Sequence, residues 1–167
     1  MKQFETDRKE NFKSKIRRLA FNLFPAIRGT GVWVGFISED YREIHIRLPL
    51  SWRTRNYVGT IFGGSIYAST DPFYMLQLMH ILGKKYVVWD KSALVKFKKP
   101  IKKTVYARFL ITDEILNEIK GNVENNNTYT IDLPVLLQDK EAVVYAEIIK
   151  TLYIADKAYY KSRKNNS

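Results

Sequence analysis

The stretch from Gly63 to Gly83 constrains this chain more than any other. It reads Gly63-Gly64-Ser-Ile-Tyr-Ala-Ser-Thr-Asp71-Pro72-Phe-Tyr-Met-Leu-Gln-Leu-Met-His-Ile-Leu-Gly83, and besides His80 only Asp71 in it is acidic or basic. Helical spacing spreads apolar side chains over nearly every face, and a helix apolar all round is stable only when surrounded. Gly83 supplies a stop, because glycine readily takes the backbone that ends helices. The rest of the chain must therefore wrap this segment. With 167 residues it can do so as one domain burying roughly 70% of its unfolded surface.

The flanking sequence alternates with period two. Val32, Val34 and Phe36 predict one strand, and Ile44, Ile46 and Leu48, set against His45 and Arg47, predict a second. Ser38-Glu39-Asp40-Tyr41 joins them as a turn, and Pro49 closes the pair. After Gly83, residues 86–89, 92–98, 105–111, 129–137 and 142–154 read as strands, with 124–128 as a turn and 138–141 as a hairpin connector. Residues 113–121 predict a short helix that Asp113 is placed to cap. About six strands and one apolar helix, joined by short connections, predict an α+β fold: a curved antiparallel sheet round a central helix.

Phe12, Ile16, Leu19 and Leu23 recur at helical spacing, with Lys13, Lys15, Arg17 and Arg18 on other faces. They predict an amphipathic helix over about residues 5–23, ended near Pro25. Its stripe is expected to pack on the sheet of its own domain; lying on an acidic membrane is the alternative. The domain is expected to span 1–156, followed by a frayed basic tail at 157–167.

Composition narrows the chemistry. Without cysteine, disulfides, thiolate catalysis and cysteine-bound metal centres are excluded. His45 and His80 are the only histidines, and no ligand-like spacing surrounds them, so neither a metal site nor a histidine triad is expected. No secretory signal is read at the start and no uninterrupted apolar run approaches the ~20 residues of a membrane span. A cytoplasmic location is the simplest expectation. The net charge of +11 favours polyanionic partners, though no nucleic-acid-binding motif is present. Eight of the 28 Lys and Arg residues lie between Lys84 and Lys103, where Asp90 is the one acid. Such a cluster, Lys96 and Lys98 included, suits a phosphate-bearing ligand, and Arg53 and Arg55 could extend it. Lysines that blunt a sheet edge give the same pattern.

The residues that point to chemistry lie at the start of the apolar segment. Gly63-Gly64 leaves backbone N–H groups unpaired at a helix mouth and lets a carbonyl or phosphate approach closely. Asp71 follows two turns later, and a carboxylate in apolar company needs a use or a partner. Asp71-Pro72 is also a common helix start, in which Asp71 only caps; or Pro72 kinks a helix already under way.

The combination Asn56-x-x-Gly59-x-x-Phe62-Gly63-Gly64, with Asp71 after six further residues, resembles the signature of hot-dog-fold thioesterases of the phenylacetate-pathway type. Asp71-Pro72-Phe-Tyr-Met, Val88-Trp89-Asp90-Lys91 and Phe97-Lys-Lys-Pro100 are closer still to an uncharacterised branch of that superfamily, known as a domain of unknown function. The resemblance runs from the N-terminal helix to about Asp156. It implies a hot-dog fold, a homodimer or tetramer, and an acyl-CoA or acyl-carrier thioester in a tunnel between subunits, with no cofactor beyond the coenzyme A thioester itself. By position, Asp71 is implied as base or nucleophile, the Gly64 N–H as the group polarising the carbonyl, and Asn56 as the holder of the water or carboxylate. Phe62, Gly63, Tyr67, Phe73 and Tyr74 are implied to line the substrate tunnel. Phe62 stands where those thioesterases have His, and Trp89 where they often have Ser or Thr. A non-catalytic acyl-CoA or lipid-binding module on the same fold is the alternative.

Overall fold

The computed structural model describes residues 5–165. Six strands form one antiparallel sheet: β1 (Trp33–Ile37), β2 (Glu43–Leu48), β3 (Tyr86–Phe97), β4 (Val105–Leu110), β5 (Thr128–Gln138) and β6 (Val144–Asp156), in the order β1-β2-β4-β5-β6-β3. Its core side is built by alternation. Ala146, Ile148, Leu152 and Ile154 of β6 are buried, as are Val105, Ala107 and Phe109 of β4. The two segments expected at 86–89 and 92–98 are one strand, β3, which carries a bulge between Asp90 and Ser92 where it pairs with β6.

The central segment is two helices rather than one: α3 (Gly63–Ala68) and α4 (Phe73–Leu82). Pro72 lacks an N–H and disfavours helical backbone at Asp71, so the ladder stops there. Ser69 and Thr70 turn their hydroxyls back onto the Ile66 and Tyr67 carbonyls (2.9 and 2.8 Å), and the ladder resumes with Leu76 N–H to Pro72 O. Gly83 ends α4 with φ of +74°, as expected. Helix α4 is anchored in the core by Phe73 and Tyr74, whose rings pack on Phe109, and by fully buried Gln77, whose Nε2 donates to the Tyr41 carbonyl.

At the N-terminus, α1 (Phe12–Leu23) begins seven residues later than expected, where Asn11 accepts from the Ser14 N–H. A second short helix, α2 (Pro25–Gly29), follows; Pro25 ends one helix and opens the next. The expected packing of the α1 stripe is overturned. Phe12, Ile16, Leu19 and Leu23 are exposed, and Ser14 and Asn22 are the buried positions. The cause is an edge strand. Asn22 Oδ1 accepts from the Val34 N–H (2.8 Å) and its Nδ2 donates to the Val34 carbonyl (3.0 Å), pairing backbone groups that β1 offers to no other strand. A helix docked through those bonds turns its apolar stripe away from the sheet.

Helix α5 (Asp113–Asn126) is capped by Thr112, not Asp113, and runs past Gly121 to a left-handed Asn127. The tail expected from Lys157 is helical as α6 (Lys157–Asn165), started by Asp156 Oδ1 accepting from the Ala158 and Tyr159 N–H groups. Among the described residues no helix is long and apolar enough to cross a membrane.

Candidate active site

Three charged side chains meet at the α3–α4 break. Lys150 occupies a core position of β6, between Ile148 and Leu152 in the buried register, and its side chain is 2% exposed. Its Nζ donates to Asp71 Oδ1 at 2.6 Å, lies 3.2 Å from Asp90 Oδ1 of β3 as an ion pair, and sits 5.4 Å from the centre of the Tyr67 ring. Burial works to lower the Lys150 pKa, but the hydrogen bond to Asp71 and the charge of Asp90 outweigh it and raise it. Lys150 is therefore an ammonium at neutral pH. Burial raises the Asp90 pKa; Lys150 offsets this only in part, and the nearby charge of Asp71 adds to the rise.

Asp71 is thus held by Lys150 and does not cap α4, whose first position has no side-chain cap. Its side chain remains 45% exposed. It stands on the wall of a groove of about 670 Å³ between α1–α2 and the α3–α4 junction, lined by Phe21, Phe24, Ile27, Ala68 and Leu76, with Arg17 at one side. That volume lies within the range of small-molecule sites, and the lining is mostly apolar. A carboxylate anchored through one oxygen and open at the other can accept a proton from a water in such a groove.

The other expected residues are distributed differently. Gly63 and Asn56 line a second depression of about 510 Å³, together with Phe97, Lys98, Lys99 and Lys102. The first N–H bond inside α3 runs from Ile66 to Phe62 O, so the amides of Gly63, Gly64 and Ser65 have no acceptor within the helix. Phe62 lies over Gly64: a Cβ there would fall 2.3 Å from its ring. Asn56 organises its own turn, accepting from the Val58 and Thr60 N–H groups and donating to Thr60 Oγ1. Within one chain, then, Asp71 does not share a cavity with the α3 amides or Asn56. Phe73 and Tyr74 lie in the core, the Tyr74 hydroxyl donating to Pro134 O, and line neither depression. Lys96 and Lys98 are exposed on β3 and just beyond it, Lys98 pairing with Glu147 at 3.0 Å. Arg53 and Arg55 are exposed, and Arg53 donates to the Arg28 carbonyl. His45 pairs with Glu43, and His80 stacks on Tyr41. Among the described residues no three acidic or imidazole groups converge to hold a metal ion.

Lys150 and Asp90 escaped the sequence reading. The signal for Lys150 was present: the run Ala146-x-Ile148-x-Lys150-x-Leu152-x-Ile154 places a lysine in an otherwise apolar period-two face.

A family profile described as Domain of unknown function (DUF4442) matches residues 13–154. The chain belongs to the DUF4442 family. Solved structures of thioesterases and of proteins of unknown function share the fold of this DUF4442 domain, a sheet wrapped round a central helical segment in the hot-dog manner. A Pseudomonas aeruginosa protein of unknown function superposes with a TM-score of 0.74 at 13% identity, covering 85% of this chain and 95% of the other. A thioesterase from Haemophilus influenzae gives 0.62 at 15% identity, covering 90% and 96%. Thioesterase superfamily member 2 from Mus musculus gives 0.62 at 13% identity, covering 86% and 98%. At these identities the likeness concerns the fold alone. No curated protein matches the sequence significantly.

Proposed function

We propose that this protein binds and hydrolyses a fatty-acyl or aryl thioester carried by coenzyme A or an acyl carrier. The observation that carries the reading is Asp71, a carboxylate fixed by a buried lysine on the wall of an apolar groove. Lys150 occupies Oδ1, so Oδ2 is left to take a proton from water. The water oxygen attacks the thioester carbonyl, and the developing oxyanion is met by an α3 amide such as that of Gly64. The C–S bond breaks and the thiolate leaves, taking a proton to give free thiol and carboxylic acid. A donated amide bond to the oxyanion contributes roughly 3–4 kcal/mol in such reactions.

Because Asp71 lines one depression of the chain and Gly63, at the mouth of α3, lines another, the complete site in this reading combines two copies. Strand β3 ends the sheet, and Trp89, Leu94, Phe97 and Phe62 around it are exposed apolar residues that a second copy would cover. Lys96, Lys98, Lys99 and Lys102 then supply positive charge for coenzyme phosphates.

A non-catalytic acyl-binding role is the second reading, favoured by two observations. Lys150 already neutralises Asp71, and Phe62 covers Gly64. Free-thiol release from a panel of acyl-CoA esters separates the two. Asp71→Asn is expected to lower turnover about 100-fold or more, the usual loss for a positioned base. Undiminished turnover refutes the role of Asp71. Acyl-CoA binding by calorimetry without turnover in the unaltered protein establishes the second reading.

A further inference from the structure

Helix α1 presents to solvent the side that an amphipathic helix ordinarily hides. Phe12 is 77% exposed, Ile16 52%, Leu19 57%, Leu23 60%, and Phe24 just beyond it 57%. At 3.6 residues per turn the four helical positions fall within an arc of about 60°. Lys13 and Lys15 flank that arc on either side, both exposed. The helix carries Lys13, Lys15, Arg17 and Arg18 and no acid. Arg18 is bonded to Glu10 and Arg17 lies over the Tyr41 ring, which leaves the two lysines to the exposed side. Arg28 of α2, beyond the far end of α1, is also exposed, and Arg53 donates to its carbonyl from a loop whose Trp52 is 84% exposed.

We propose that this face docks the protein on an anionic lipid bilayer. An apolar stripe bordered by cations, with Phe12 in it and Phe24 at its end, is the arrangement that lies in a headgroup layer: the stripe enters the acyl boundary and the cations meet lipid phosphates. Charge decides against a second copy as occupant. A twofold contact sets the same patch against itself, so Lys13 and Lys15 would face their own counterparts with no acid on the helix to offset them. The position also fits a lipid-derived ligand. Phe24 belongs both to the exposed face and to the wall of the groove that Asp71 lines, so an acyl chain leaving the bilayer would meet the groove without crossing open water. The docking itself does not depend on thioester chemistry.

The test is co-flotation of the full chain with vesicles of phosphatidylcholine alone and of phosphatidylcholine with one-quarter phosphatidylglycerol. Binding is expected only with the anionic lipid and should weaken with salt. Leu19→Glu should lower partitioning about tenfold or more, the loss expected when one leucine no longer leaves water. Lys13→Glu with Lys15→Glu should do the same. All these side chains are exposed, so the circular dichroism spectrum and melting temperature should stay unchanged, as should any turnover of soluble acyl-CoA. Absence of vesicle binding, or binding that Leu19→Glu leaves intact, overturns the proposal. So does sedimentation showing that Leu19→Glu dissociates an oligomer, because a second copy then covers the face.

Discussion

Replacing Lys150 with methionine removes one ammonium and leaves two carboxylates behind. Removing one partner of a fully buried ion pair costs about 3–5 kcal/mol, because the other charge is left uncompensated. Here Asp71 is 45% exposed, so water takes over much of the lysine's role on that side. Asp90, with 23% of its side chain exposed, has less recourse. The expected loss at pH 7.5 is therefore about 2–3 kcal/mol, a large part of the 5–15 kcal/mol typical of a domain. With a urea slope of about 1.5–2 kcal/mol/M, the unfolding midpoint should fall by roughly 1–2 M. The pH dependence has a definite sign. The Asp90 carboxyl is already raised by burial, and Lys150 only partly offsets this, so losing the lysine raises it further. A carboxyl raised on folding favours the folded state at low pH, and that contribution is lost as pH rises through its folded value. The deficit of Lys150→Met should thus be greatest at pH 7.5 and shrink towards pH 5. Adding Asp90→Asn should recover most of it. A variant within about 0.5 kcal/mol of the parent at pH 7.5, or a deficit unchanged between those pH values, would refute the reasoning; such a size is ordinary for a surface change.

Two further outcomes are expected. Asn22→Leu leaves the N–H and C=O of buried Val34 without their side-chain partners and should cost about 2 kcal/mol in a denaturant titration, the usual penalty for orphaned buried groups. At Asp139, burial works to raise the carboxyl, but the Val143 N–H, Lys103 and the Tyr145 hydroxyl outweigh it and bring it down to about 2. A lowered carboxyl stabilises the fold above its ordinary value near 3.8 and loses that contribution as pH falls through about 2, so Asp139→Asn should flatten the acid-unfolding curve between pH 4 and pH 2.

The architecture was legible because it rests on periodicity. Alternation in the hairpin of β1 and β2, and the apolar belt of the central segment, each describe a burial pattern that the residues themselves carry. The direction of the α1 stripe was not legible. Spacing reports that a helix has two faces, but here two polar side chains off the stripe, Ser14 and Asn22, are the buried ones, with Phe21 packed beside them. Likewise Asp71-Pro72 was compatible with a cap, a kink or a catalytic acid. Which of these holds depends on Lys150, seventy-nine positions away, reaching back across the sheet. Gly64 and Phe62 were recognisable as a pair through resemblance, whereas the separation of Gly63 and Asp71 into two depressions is a matter of three-dimensional packing.

The bulge in β3 governs more than the regularity of one ladder. Asp90 pairs with Leu152 and Ser92 with Thr151, so Lys91 is the residue without a counterpart. Drawn out regularly from Ala93 backwards, the same sequence would aim Lys91 and Trp89 at the helices and send Asp90 outward. Lys150 would then confront a second amine where it now finds an acid. One surplus residue in an outer strand thus decides the sign of the charge beneath the break in the central helix.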